Sequence, residues 1–76
     1  MTGFVDTFRY FHNHDVKYTY WSVKENARPE NKGWRIDYFL ASSKGLRYVV
    51  DSYIHDEIMG SDHCPISVQL DFSKGV

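Results

Sequence analysis

Asp37, Asp62 and His63 are the residues of this sequence best suited to chemistry. Asp37 lies inside Gly33-Trp34-Arg35-Ile36-Asp37-Tyr38-Phe39-Leu40, the longest near-apolar run in the chain. A carboxylate in such surroundings is costly to desolvate unless something pairs with it. Two partners are open to it. Arg35 shares its face of a strand, and His63 waits downstream in Gly60-Ser61-Asp62-His63-Cys64-Pro65. A carboxylate bonded to an imidazole fixes its orientation and stabilises positive charge on it. Beside such a pair, Asp62 could help hold a divalent cation while His63 contacts a phosphoryl oxygen or orients water. On spacing alone, Ser-Asp-His is more simply a capped turn. Ser61 also lacks the strand–Gly-x-Ser-x-Gly–helix setting of a nucleophile.

The formal net charge of −1 gives no overall field for a polyanion. Its distribution is uneven. Lys24, Arg28, Lys32 and Arg35 cluster in one stretch, and Asp51, Asp56, Glu57 and Asp62 in another. A basic loop beside an acidic corner would fit an anion and a metal cation, although ordinary surface charge explains both stretches as simply. The single Cys64 excludes an internal disulfide, and no Cys/His spacing fits zinc. Cys64 reads as a small buried apolar residue. His12-Asn13-His14-Asp15 reads as a solvated loop rather than a metal site. With no secretory n-region or long apolar run, the expectation is a cytoplasmic chain without a membrane partner.

The elements that must position these groups follow from periodicity. Phe4, Val5, Phe8 and Phe11 recur at helical spacing, with Thr2 or Asp6 as a cap. Tyr18 to Ser22 reads as a strand, and Val23 to Lys32 as a long loop able to carry binding residues. Gly33 to Leu40 reads as one strand, with Trp34, Ile36, Tyr38 and Leu40 on one face. Trp21 and Trp34 are core residues by composition, and their alternative is stacking on a base or sugar. Ser42-Ser43-Lys44-Gly45 breaks the chain before one helical turn at Leu46-Arg47 and a strand over Tyr48 to Ile54. Pro65 opens a last strand, in which Ile66, Val68, Leu70 and Phe72 alternate with Ser67, Gln69 and Asp71. Ser73-Lys74-Gly75-Val76 reads as a frayed tail. The fold class is therefore α+β, with one short N-terminal helix and about four mostly antiparallel strands. Several strands are aromatic on both faces, more than such a sheet covers. A second sheet, a second copy or the rest of a larger domain is expected against them.

Several blocks together resemble a known family. They are Gly3-Phe4-Val5-Asp6-Thr7-Phe8-Arg9, Tyr18-Thr19-Tyr20-Trp21-Ser22, Asn26-Ala27-Arg28, Asn31-Lys32-Gly33-Trp34-Arg35-Ile36-Asp37-Tyr38-Phe39-Leu40 and Gly60-Ser61-Asp62-His63-Cys64-Pro65-Ile66. They resemble, in order and spacing, the C-terminal part of exonuclease III-type abasic-site endonucleases of the endonuclease/exonuclease/phosphatase superfamily. The resemblance spans nearly all of residues 1–76. It implies a piece of a four-layered α/β sandwich and a DNA repair phosphodiesterase that cuts 5′ to abasic sites, often with 3′-exonuclease activity. It implies His63 at the scissile phosphate, Asp37 as its hydrogen-bonded partner and Asp62 at the metal. It further implies Trp34, Ile36 and Tyr20 as walls of a pocket for a flipped-out abasic sugar, with Arg28 and Asn31 as substrate contacts. Apolar walls suit a baseless sugar and exclude a full nucleotide.

The family's other metal- and water-positioning groups have no counterpart in these residues. The expectation is thus a C-terminal fragment, carrying part of the site and inactive alone. Mg²⁺ (or Mn²⁺) is expected only together with the missing N-terminal groups. The expected partner is double-stranded DNA with abasic sites, or a separately encoded N-terminal half. The alternative is a non-catalytic module that self-associates or binds DNA.

Overall fold

Thr19-Tyr20-Trp21 is the rung on which the molecule hangs. The computed structural model describes residues 3–75. On one edge of the rung, strand β2 (Tyr20–Trp21) pairs antiparallel with β3 (Gly33–Trp34), with Tyr20 opposite Trp34 and Trp21 opposite Gly33. On the other edge, Tyr20 forms an antiparallel bridge with His63. The Trp21 amide donates to the Asp62 carbonyl and the Cys64 amide to the Thr19 carbonyl, both at 2.9 Å. One short segment therefore holds both chemistry-bearing blocks.

Two other ribbons flank it. Strand β1 (Phe4–Asp6) pairs antiparallel with β4 (Leu40–Ser42), and β5 (Val49–Ile54) with β6 (Ile66–Leu70). The chain is α+β, and its described strand pairs are all antiparallel, in three two-stranded sheets. Helix α1 (Thr7–Phe11) is capped by Asp6, whose carboxylate accepts from the Arg9 amide at 3.3 Å. A 3-10 turn over Gly45–Tyr48 leads into β5. Phe8, Trp21, Ala27, Ile54 and Cys64 make the buried core, with Tyr18 and Ile66 packed against it.

Several expectations change. Phe4 and Val5 are in a strand, not in the helix. They have extended backbone because Leu40–Ser42 offers it a partner, and helical periodicity cannot register a partner so distant. Of the two proposed caps, Asp6 is the one seen, and Thr2 lies outside the described residues. The run from Gly33 to Leu40 is not one strand: it breaks after Trp34 and resumes at Leu40. The break is chemical. The Thr19 hydroxyl accepts from the amides of Ile36 and Asp37, at 3.1 and 3.2 Å, where a strand would send one of them to a neighbouring strand. Trp21 is core, yet Trp34 is 68 % exposed. The alternation in β6 does not separate buried from exposed positions, since Leu70 and Phe72 both face out. Residues 72–75 form a 3-10 turn rather than a frayed tail, and Val76 lies outside the described residues.

Candidate active site

Asp37 meets His63, not Arg35. Its Oδ2 lies 2.7 Å from His63 Nδ1. A carboxylate only accepts, so Nδ1 carries the proton and Nε2 is the ring nitrogen left for chemistry. Arg35 turns the other way and pairs with Asp6 at 2.7 Å, its guanidinium 4.9 Å from the Tyr38 ring centroid and 5.6 Å from that of Phe8. The strand break explains the difference. Once the backbone leaves the pleat after Trp34, Arg35 and Asp37 no longer share a face.

Burial pushes the Asp37 carboxyl up. The hydrogen bonds from His63 and the Thr19 hydroxyl, together with the charge on His63, outweigh that and hold it below the usual carboxylate range. Thr19 is fully buried. Its hydroxyl serves the Ile36–Asp37 backbone and its carbonyl takes the Cys64 amide, so a single residue ties the Asp37 segment to the His63 segment. Thr19 belongs to no motif that marks it as part of a site. Its sequence signal is a hydroxyl residue between two tyrosines of an aromatic strand, where a buried Oγ must find partners.

His63 is held from three sides. The Tyr20 ring lies 5.0 Å from the imidazole, centroid to centroid, tilted by 52°. The His63 amide donates to Ser61 Oγ at 3.2 Å, and Ser61 Oγ donates to Asp62 Oδ1 at 3.3 Å. Gly60, at φ 116°, opens this turn in a conformation other residues rarely adopt. Asp62 is exposed beside the pair. Ser61 thus acts as a local cap of the turn.

Trp34 and Ile36, shortly before Asp37 in the chain, are exposed apolar surface. Trp34 also walls a cleft of about 450 Å³ with Tyr18, Glu25, Asn31 and Lys32, which neither Asp37 nor His63 lines. Arg28, partly buried, and Asn31, exposed, are both hydrogen-bonded within the protein. Asn31 Oδ1 accepts from the Trp21 indole at 3.0 Å, and the Arg28 guanidinium donates to backbone carbonyls. The acidic stretch is mostly paired: Asp51 with His12 at 2.8 Å, Asp56 with Lys17 at 3.2 Å and Glu57 with His55 at 3.6 Å. Among the described residues, no group of three or more His, Cys, Asp or Glu side chains could hold a metal ion. Asp37 is taken by His63, leaving Asp62 as one carboxylate where Mg²⁺ needs an octahedron of oxygens. These residues do not fit a Mg²⁺ or Mn²⁺ site by themselves. No helix among the described residues is long and apolar enough to cross a membrane.

No family model matches the chain. Individual relatives do. It is 48 % identical over 69 residues to the DNA repair nuclease APEX1 of Danio rerio, covering 90 % of this chain and 22 % of that protein. It is 43 % identical over 67 residues to the exodeoxyribonuclease of Bacillus subtilis, covering 87 % and 27 %. It superposes on the crystal structure of the AP endonuclease LMAP from Leishmania major with a TM-score of 0.82 and 46 % identity, over 88 % of this chain and 20 % of that one. The architecture is therefore part of the AP endonuclease catalytic-domain fold. The chain is a partial match to the AP endonuclease and exodeoxyribonuclease family, and it spans 10–27 % of the length of the curated relatives it matches.

Proposed function

We propose that this chain carries the His63, Asp37 and Asp62 part of a DNA repair phosphodiesterase site directed at abasic positions. The observation that carries the reading is the 2.7 Å bond between Asp37 Oδ2 and His63 Nδ1. It leaves Nε2 to donate to, or accept from, an oxygen of a phosphodiester. Asp37 fixes the ring and stabilises charge gained on it. The exposed Trp34 and Ile36, with Tyr20 against His63, supply apolar surface for a baseless sugar. Asp62 would be a single ligand, so Mg²⁺ (or Mn²⁺) binding is expected only where further groups join it.

The pair alone lacks most of the transition-state stabilisation such a reaction needs. With Mg²⁺ and a duplex carrying a stable abasic analogue, the chain is expected to show no incision above the metal-only background. Strong incision that His63→Ala abolishes would overturn the view that the site is incomplete. Titrating the same duplex against a labelled chain should shift the NMR signals of His63, Trp34 and Ile36 more than an intact duplex does. Equal, scattered shifts would refute the assignment of substrate.

One observation favours the alternative of self-association. Phe4, Leu40, Leu70 and Phe72 are each about half exposed or more, an unusual concentration of apolar surface on so small a chain. A concentration-independent monomer in sedimentation equilibrium would remove it.

A further inference from the structure

The Arg28 guanidinium lies 4.2 Å from the Trp21 ring centroid. Nη1 donates to the Ser61 carbonyl at 3.1 Å. Nη2 donates to the carbonyls of Asp56 and Ile58, at 2.9 and 2.8 Å. These acceptors run from the connection after β5 into the turn bearing Asp62 and His63. The connection is also tied by the His55 amide to the Pro65 carbonyl, the Ile58 amide to the His55 carbonyl, the His55–Ser67 side-chain bond and the Lys17–Asp56 and His55–Glu57 pairs, most of them at its His55 end. The carbonyls are divided between two terminal nitrogens held in one plane as a fork, and the single nitrogen of an ammonium cannot occupy both positions.

We propose that Arg28 is a positioning residue: it gathers the carbonyls of Asp56, Ile58 and Ser61 on one guanidinium and thereby sets the turn that presents His63 to Asp37. The proposal rests on the reading of Asp37–His63 as the site. It differs from a role for Arg28 as a phosphate contact, because its terminal nitrogens already serve the protein. Trp21 carries the arrangement inward. Its amide bonds the Asp62 carbonyl, its indole bonds Asn31, and its ring is the floor beneath Arg28.

The test is NMR of the imidazole nitrogens in the full chain, without DNA or metal, for wild type, Arg28→Lys, Arg28→Ala and Asp37→Asn. In both Arg28 variants the hydrogen-bonded Nδ1 proton of His63 should weaken or vanish. The ring shifts should move toward those of Asp37→Asn, while His12, at α1, keeps its wild-type signals. Unchanged His63 signals in Arg28→Lys overturn the proposal, because a lysine suffices for a phosphate contact but cannot replace the fork. Uniform movement of His12 and His63 also overturns it, since that is general loosening. If Arg28→Ala does not fold, Arg28→Lys decides alone. None of these signals depends on incision, so a chain that binds no abasic DNA but shows the His63 response would sink the substrate reading and keep this one.

Discussion

Replacing Thr19 by valine should damage the molecule more than its size suggests. The two side chains are nearly isosteric, so packing is kept and the hydroxyl is what disappears. In the native chain that oxygen accepts from the amides of Ile36 and Asp37, at 3.1 and 3.2 Å, at a residue with no exposed surface. Valine leaves two partly buried donors without an acceptor, and each such group costs about 1–3 kcal/mol. Because both amides are only partly buried, about 2–4 kcal/mol in total is the working figure. The stability of a chain this size is roughly 4–11 kcal/mol, so the loss is a large share of it. Thr19→Ser keeps the oxygen and drops one methyl, for about 1 kcal/mol. Urea unfolding followed by tryptophan fluorescence separates the two. With a slope near 1 kcal/mol/M, Thr19→Val should lower the midpoint by about 2 M or more, and Thr19→Ser by about 1 M. Valine equal to or better than serine would refute the reasoning, showing that the Ile36 and Asp37 amides find other partners. The Asp37 carboxyl should also rise in Thr19→Val, because one of the groups holding it down is gone.

Other expectations follow from the same geometry. A Cβ on Gly33 would sit 2.6 Å from the Tyr20 carbonyl oxygen and 2.7 Å from the Trp21 ring. Gly33→Ala should therefore cost about 2–3 kcal/mol by urea midpoint and disturb the β2–β3 pairing, and a neutral result would show that the ribbon yields easily. Asp6 both caps α1 and pairs with Arg35, whose Nη1 is already buried without a partner. Asp6→Asn keeps the cap and loses the charge, whereas Asp6→Ala loses both and should cost about 1 kcal/mol more than Asp6→Asn by urea midpoint, the usual worth of a cap. At Asp6, too, burial raises the carboxyl, and the Arg35 bond, the Arg9 amide and both arginine charges outweigh that and hold it below the usual carboxylate range. With Asp6 and Asp37 both held down, each contributes stability that is present above about pH 4 and lost as pH falls through its folded value. Melting temperature should fall below about pH 4, and Asp37→Asn should flatten that slope while lowering stability at pH 6.

What the sequence disclosed, it disclosed through demands that local chemistry must meet. Asp37 needed a partner, and of the two on offer His63 was correctly among them. The distant partner prevailed over the near one because Arg35 shares a face with Asp37 only if the strand continues. Nothing in Gly33–Leu40 itself announces the break, since its cause is a hydroxyl 17 and 18 residues before the two amides it takes. Phe4 and Val5 misled for a related reason, their strand existing through Ala41 and its neighbours. Trp21 and Trp34 are chemically identical and meet opposite fates, one under the Arg28 guanidinium and one in solvent. The last strand alternates as a half-buried one does, yet among the described residues it has one partner strand and leaves Leu70 about half exposed. Long-range pairing, not composition, decided each of these.

Cys64 turns the site into its own stopwatch. Its thiol is buried, 3.6 Å from the Tyr18 carbonyl oxygen, one residue beyond His63. Burial also pushes its ionisation up, so little reactive thiolate exists even where reagent could reach it. Alkylation can then proceed only in the fraction of molecules whose Tyr18–Cys64 seam has parted. Measured against a free thiol at the same pH, its rate gives the free energy of that parting directly. A single native thiol, with no label and no substitution, thus reports how often the segment bearing His63 parts from Tyr18.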